Sequence, residues 1–218
     1  MNNNEKEKFI LYGASFNPPH MGHFSAISQM LEDYDKVIIF PYPKKYNSDG
    51  KIEDLPSITQ RMKMLKIFFA EYFPQMSEKL ILTDLASEII KSKIVTGMPH
   101  TYDYLKYAQT KIQNNISLSV CLGFEASNEL RKETFYNEET IKKEFGVFRL
   151  EEENTIKSSD LRKFFSSNKN IKSAKHEQYI KYAVGNSLAD YIFKNNLYGI
   201  KNRKDDKLIT QTKKNKLY

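Results

Sequence analysis

The chain has 218 residues, with 34 Lys and Arg against 27 Asp and Glu and a formal net charge of +7. That length suits one substantial domain with its own core rather than two, and 40% hydrophobic with 28% charged residues is an ordinary globular composition. The charge excess would suggest a nucleic-acid binder if it covered the body, but residues 201–218 hold seven basic and two acidic groups, leaving 27 basic and 25 acidic in the first 200.

The N-terminus is polar and lacks the apolar core of a signal peptide. The first β-rich run is Phe9 to Tyr12, ended by Gly13. Phe24, Ile27, Leu31 and Tyr34 then follow helical spacing. Val37 to Phe40 is a second strand, stopped by Pro41, and the polar stretch Tyr46 to Asp54 reads as a long surface loop. Met62, Leu65, Phe68 and Phe69 predict a second helix, capped by Ser57 or Thr59. A short run, Leu80 to Leu82, is a third strand, and Tyr104, Leu105, Ala108 and Ile112 predict a third helix. Ser117 to Leu122 is a fourth strand, ended by Gly123. It holds Cys121, the sole cysteine, so no disulfide can form within the chain and a buried structural thiol is expected. Val147 to Leu150 is a fifth. A short Ser-capped helix starts at Ser159, a longer one spans Tyr179 to Asn195, and the basic residues 201–218 form a polar, frayed tail.

Continuous apolar strands alternating with helices predict βαβ units. The expected fold is α/β: one domain over residues 1–200, a doubly wound, Rossmann-like parallel sheet with helices on both faces. Its ligand site should lie at the carboxyl ends of the strands. No run is long enough for a membrane span. A cytoplasmic protein without a membrane partner is expected, and oligomeric state, a homo-oligomer included, is left open.

The chemistry concentrates in Gly13 to His23 (GASFNPPHMGH), between the first strand and the first helix. Gly13 allows a tight turn. Asn17, Pro18 and Pro19 fix an extended, rigid approach. His20 and His23, two of only four histidines, flank Gly22 at a helix start. Both imidazoles can face one side, Gly22 opens the backbone to a ligand, and the helix start adds free N–H groups and a positive dipole. Two imidazoles there could stabilise a phosphate gaining charge. Downstream, Ser158, Ser159 and Arg162 also stand at a helix start, where hydroxyls, amides and a guanidinium make a clamp for polyphosphate oxygens.

These residues resemble the nucleotidylyltransferase superfamily, whose signature is Gly-Thr/Ser-Phe-Asp/Asn-Pro ending in His-x-Gly-His: here Gly13, Ser15, Phe16, Asn17, Pro18, His20, Gly22 and His23. Ile156 to Arg162 resembles its Ile-Ser-Ser-Thr-x-Ile-Arg motif, with Lys157 in place of the first Ser. Arg61, Met64 and Leu65, the stretch His100 to Leu105, Gly123 to Glu125, and Tyr191, Ile192, Leu197 and Tyr198 are similar, in order, to segments of nicotinate- and nicotinamide-mononucleotide adenylyltransferases.

That resemblance implies adenylyl transfer from ATP to a pyridine mononucleotide, with Mg²⁺ bound to ATP and no prosthetic group. It implies catalytic roles for His20, His23 and Arg162. It places ATP near Gly13, Ser15, Phe16, Gly22, Gly123, Glu125, Ser158, Ser159 and Lys44, and the pyridine nucleotide near Ser15, Phe16, Asn17, His100, Thr101 and Tyr136. Asp103 is expected to orient its helix. Glu125 is one methylene longer than the family Asp. The family often stacks a Trp on the pyridine ring, and this chain has none; Phe135, Tyr136 or His100 could supply the aromatic face. Acid or amide preference stays open. His176 reads as a surface residue. Two alternatives stand beside this reading: transfer to another phosphate acceptor (phosphopantetheine, a flavin or glycerol phosphate), and a non-catalytic nucleotide- or RNA-binding protein. The near-neutral body argues against a broad nucleic-acid face.

Overall fold

The computed structural model describes residues 6–43, 56–95, 98–112, 115–123, 136–150, 156–167 and 174–200. Five strands, β1 (Glu7–Ala14), β2 (Lys36–Pro41), β3 (Leu80–Leu82), β4 (Ile116–Leu122) and β5 (Gly146–Arg149), form one sheet in the order β3-β2-β1-β4-β5. Every pairing is parallel, and β1 lies between β2 and β4, so that Leu11 is flanked by Ile38 and Val120. The chain thus moves outward on one side of β1, returns, and moves outward on the other. In sheets wound this way, ligands bind at that switch, beyond the carboxyl ends of strands such as β1 and β4.

Helices cover both faces. They are α1 (Met21–Asp33), α2 (Ile58–Tyr72), α3 (Leu85–Ser92), α4 (Thr101–Gln109), α5 (Glu138–Glu144), α6 (Ser158–Ser167), α7 (Ala174–Val184) and α8 (Asn186–Lys194), followed by a 3₁₀ turn at Leu197–Gly199. Alternation along β1 separates two cores. Ile10 and Tyr12 pack with Ile27, Met64, Phe68, Leu161 and Ile192, from α1, α2, α6 and α8. Phe9 and Leu11 pack with Leu85, Ile89, Leu105 and Ile141, from α3, α4 and α5. Burial on both faces is why the strands read as unbroken apolar runs. Cys121 lies in the first core, and burial pushes its thiol pKa up, as suits a structural cysteine. No helix among the described residues is long and apolar enough to cross a membrane.

The α/β expectation holds, with differences of detail. Ser57, not Thr59, caps α2: its Oγ accepts the Gln60 N–H at 3.2 Å, and its own N–H donates to Gln60 Oε1 at 2.9 Å. Helices α3 and α5 were not anticipated. The predicted helix Tyr179–Asn195 is two helices, α7 and α8, broken at Gly185. There φ is +92°, and a Cβ would stand 2.9 Å from the Tyr72 ring. Just after the break, the Glu71 carboxylate accepts the N–H groups of Asn186 and Ser187, both at 2.8 Å, and so caps α8 from α2. His176 is half-buried rather than a free surface group, with its ring edge-on to Phe164 at 5.4 Å.

Candidate active site

The loop Ser15–His20 leaves the carboxyl end of β1 and enters α1. Phe16 takes a left-handed φ of 46°, and its buried ring packs against Tyr12 at 5.5 Å and His23 at 4.8 Å. Only its backbone can face a ligand. The Asn17–Pro18 bond is cis.

His20 is the N-cap of α1, and its Nδ1 accepts the Gly22 N–H at 3.1 Å. His23 reaches back, and its Nδ1 accepts the His20 N–H at 3.2 Å. The two rings lie 3.9 Å apart between centroids. A nitrogen that accepts a hydrogen bond carries no proton, so each neutral ring must hold its proton on Nε2. Burial, then the Arg162 guanidinium, lowers the His20 pKa from 6.5 to about 3. Burial, then His20 itself, holds His23 well below its ordinary value. Protonating Nδ1 would also break the cap. The site therefore presents two neutral Nε2–H donors side by side at neutral pH.

This changes the expected reason for an anion site. Two of the amides at the start of α1 are taken, because Gly22 N–H is capped by His20 and His23 N–H donates to the His20 carbonyl at 2.8 Å. The donors are the imidazoles. Gly22 and Gly13 also serve internal packing more than ligand approach. A Cβ at Gly22 would meet the His20 ring at 2.9 Å and the Ile156 carbonyl at 3.0 Å. A Cβ at Gly13 would meet Phe40 at 2.5 Å and Tyr42 at 2.7 Å. Gly13 lies within β1 rather than in a turn after it. Gly123 differs: a Cβ there meets no atom of the described residues within 4 Å.

Two distant helices, α6 and α2, hold the loop. Ser158 Oγ donates to the Pro18 carbonyl at 3.1 Å, and Arg162 Nη1 to the Asn17 carbonyl at 3.0 Å. Helix α6 thereby brings Arg162 beside His20. Lys157, exposed, provides the carbonyl that accepts the Asp160 and Leu161 N–H groups, so the cap position falls there rather than on a serine. Ser159 is half-buried in the first turn. Arg61 of α2, only 1% exposed, donates Nη1 to the Ser15 carbonyl at 2.8 Å and Nε to the Pro56 carbonyl at 3.1 Å. The sequence reading gave Arg61 no role. Its signal was its place on the apolar face of α2 with Met64, Leu65 and Phe68, where a buried arginine must find carbonyls.

At the start of α4, Asp103 Oδ2 accepts the His100 N–H at 2.8 Å, the orienting part expected of it. Thr101 shares a side-chain hydrogen bond with Tyr42, whose pKa burial pushes up to about 12. His100 and Tyr136, both exposed, stack on one another 4.3 Å apart and 28° from parallel. Two of the candidate aromatic faces are thus one paired platform. Lys44, Glu125 and Phe135 lie outside the described residues, as do the loop Tyr46–Asp54 and the tail 201–218.

A parallel sheet in this order, with two imidazole donors and an arginine gathered at the start of the helix after β1, is the arrangement of a nucleotide-handling α/β protein. The cytidylyltransferase-like family matches residues 11–164, which take in both motif segments, and the chain belongs to that family. It is similar to a Fusobacterium nucleatum protein described as a probable nicotinate-nucleotide adenylyltransferase, at 28% identity over 93% of this chain and 96% of that one. A Vibrio parahaemolyticus structure assigned as a nicotinate-nucleotide adenylyltransferase aligns at TM-score 0.63 and 22% identity, covering 85% of this chain and 98% of that one. The Plasmodium falciparum nicotinic acid mononucleotide adenylyltransferase complexed with NaAD aligns at TM-score 0.62 and 21% identity, covering 88% and 97%. At such identities the two structures support the fold.

Proposed function

We propose that the protein is an adenylyltransferase that joins ATP to nicotinate mononucleotide, forming the pyridine dinucleotide and pyrophosphate in NAD biosynthesis. The observation that carries this reading is the pair of Nε2–H donors beside Arg162, on a chain whose near-full-length relative bears that activity in its name. A phosphate oxygen of the mononucleotide attacks the α-phosphorus of ATP. The new P–O bond forms as the bond from the α-phosphorus to pyrophosphate breaks. The attacking oxygen is already anionic, so no protein nucleophile is needed. Catalysis rests on alignment and on fixed donors placed where charge develops.

In this reading His20 and His23 donate to ATP phosphates, with His23 nearest the α-phosphate. Ser158, Ser159 and Arg162 hold the outer phosphates. The backbone from Gly13 to Phe16, together with Gly123, borders the nucleotides, and Lys44 and Glu125 complete the ATP side. Ser15, Asn17 and Thr101 serve the mononucleotide, whose pyridine ring meets the His100–Tyr136 platform. Magnesium enters on ATP, held by phosphate and water, and neutralises polyphosphate charge. No three His, Cys, Asp or Glu side chains converge on a metal position among the described residues, so these supply no cage for it.

The test is an acceptor panel. Magnesium ATP with nicotinate mononucleotide should give dinucleotide and stoichiometric pyrophosphate. Turnover confined to phosphopantetheine, glycerol phosphate or a flavin, or with CTP in place of ATP, would overturn the reading.

A further inference from the structure

The Asn17 side chain is 0% exposed and half satisfied: Oδ1 accepts the Tyr198 hydroxyl at 2.7 Å, while Nδ2 is buried with no partner among the described residues. A buried amide donor left unpaired is costly and calls for an explanation. Its surroundings supply one. The main chain of Asn17 holds Arg162, and three residues later His20 opens the helix that carries both imidazoles.

We propose that Tyr198 is a positioning residue, whose hydroxyl turns the Asn17 amide so that Nδ2 is presented to a phosphate oxygen of the bound nucleotide. The inference rests on the adenylyltransferase reading for the identity of that nucleotide. A phenol could donate to Oδ1 or accept from Nδ2. Here the hydroxyl donates, its oxygen lying 2.7 Å from Asn17 Oδ1. The amide then shows its donor, the end an anion needs.

The chain goes to some length to place this hydroxyl. Tyr198 adopts φ 60°, a left-handed conformation that side chains other than glycine and asparagine rarely adopt, next to Gly199 at 71° and two residues after Asn196 at 49°. Leu197 and Ile200, both buried, pin it on either side, and the phenol ring stacks on Phe165 of α6 at 5.0 Å. The backbone strain is compensated by a contact 181 residues away in sequence.

Tyr198→Phe keeps the ring stack and removes only the hydroxyl. Its kcat for dinucleotide synthesis should fall about 10- to 100-fold with a melting temperature close to wild type. A purely structural role would lower the two together. A second readout does not depend on turnover. With ¹⁵N-labelled asparagine, and the signal assigned through Asn17→Asp, the Asn17 side-chain amide of the wild type should shift on adding nicotinate mononucleotide. In Tyr198→Phe that shift should be lost. A wild-type amide unmoved by saturating nicotinate mononucleotide, an equal shift in both proteins, or wild-type kcat in the variant would each overturn the proposal. The wild-type titration decides even if the variant does not fold. If the wild type makes no dinucleotide, the adenylyltransferase reading fails and the amide titration still decides this one.

Discussion

Arg61 crosses 46 residues of chain to donate its Nη1 to the Ser15 carbonyl, and the same side chain holds Pro56 at the mouth of α2. Removing it would strand two carbonyls and leave a cavity under the Ser15–His20 loop. Arg61→Met should therefore cost about 3 kcal/mol of stability, measured by urea unfolding. Arg61→Lys keeps the charge and loses the fork, so it should fold but turn over more slowly. Wild-type kcat in Arg61→Lys would show that the fork does not set the loop.

His23→Ala removes one Nε2–H donor and the back-bond to His20 N–H. Pyrophosphate release should fall by about 10²- to 10³-fold, the usual effect of losing one transition-state donor. Stability should drop by only about 1 kcal/mol, as for a lost helix cap. Near-normal turnover in the folded variant would remove His23 from the mechanism.

The buried histidines also set an acid limit. Folded His20 titrates near 3, against 6.5 for a free side chain, and His23 is shifted the same way. The unfolded chain therefore takes up these protons first. Stability is full above pH 6.5 and is lost as pH falls toward 3, by up to about 1.4 kcal/mol per pH unit for each histidine. In the variant carrying both His20→Asn and His23→Asn, the pH dependence of unfolding free energy should be flatter across that window. Parallel curves for variant and wild type would contradict the buried neutral state.

The His100–Tyr136 pair makes a separable prediction. Tyr136→Ala should raise KM for nicotinate mononucleotide about tenfold, as expected for one lost aromatic stack. KM for ATP should stay near wild type. Equal changes in both constants would place the pair away from the pyridine ring.

Between α2 and α8, Glu71→Ala should cost about 1 kcal/mol, because its carboxylate caps two N–H groups. Gly185→Ala should cost more, about 2 kcal/mol, since it combines a positive φ with a clash against Tyr72. Chemical denaturation of both variants checks the order.

The five strands were legible because apolar runs buried on both faces have little other reading, and the sheet followed from their alternation with helices. His20, His23 and Arg162 stood out through residue type and position, and the structure gathers them. The direction in which the imidazoles bond was not legible: it depends on which ring nitrogen meets a backbone N–H. The break at Gly185 was hidden because Ala183 and Leu188 keep apolar positions on both sides of it. Tyr198 carried no local signal of its reach to Asn17, since that contact exists only after a left-handed turn and the packing of α6.

The clamping of the His20 loop by Arg61, Ser158, Arg162 and Tyr198 has a consequence for synthesis. The imidazoles are translated before their supports, which emerge in order along the chain, with Tyr198 the last of the four. A nascent chain that has already built β1 to β4 still lacks three of the four supports. In the proposed function, the donors are set for phosphate only once Tyr198 has been made and has folded back onto the loop.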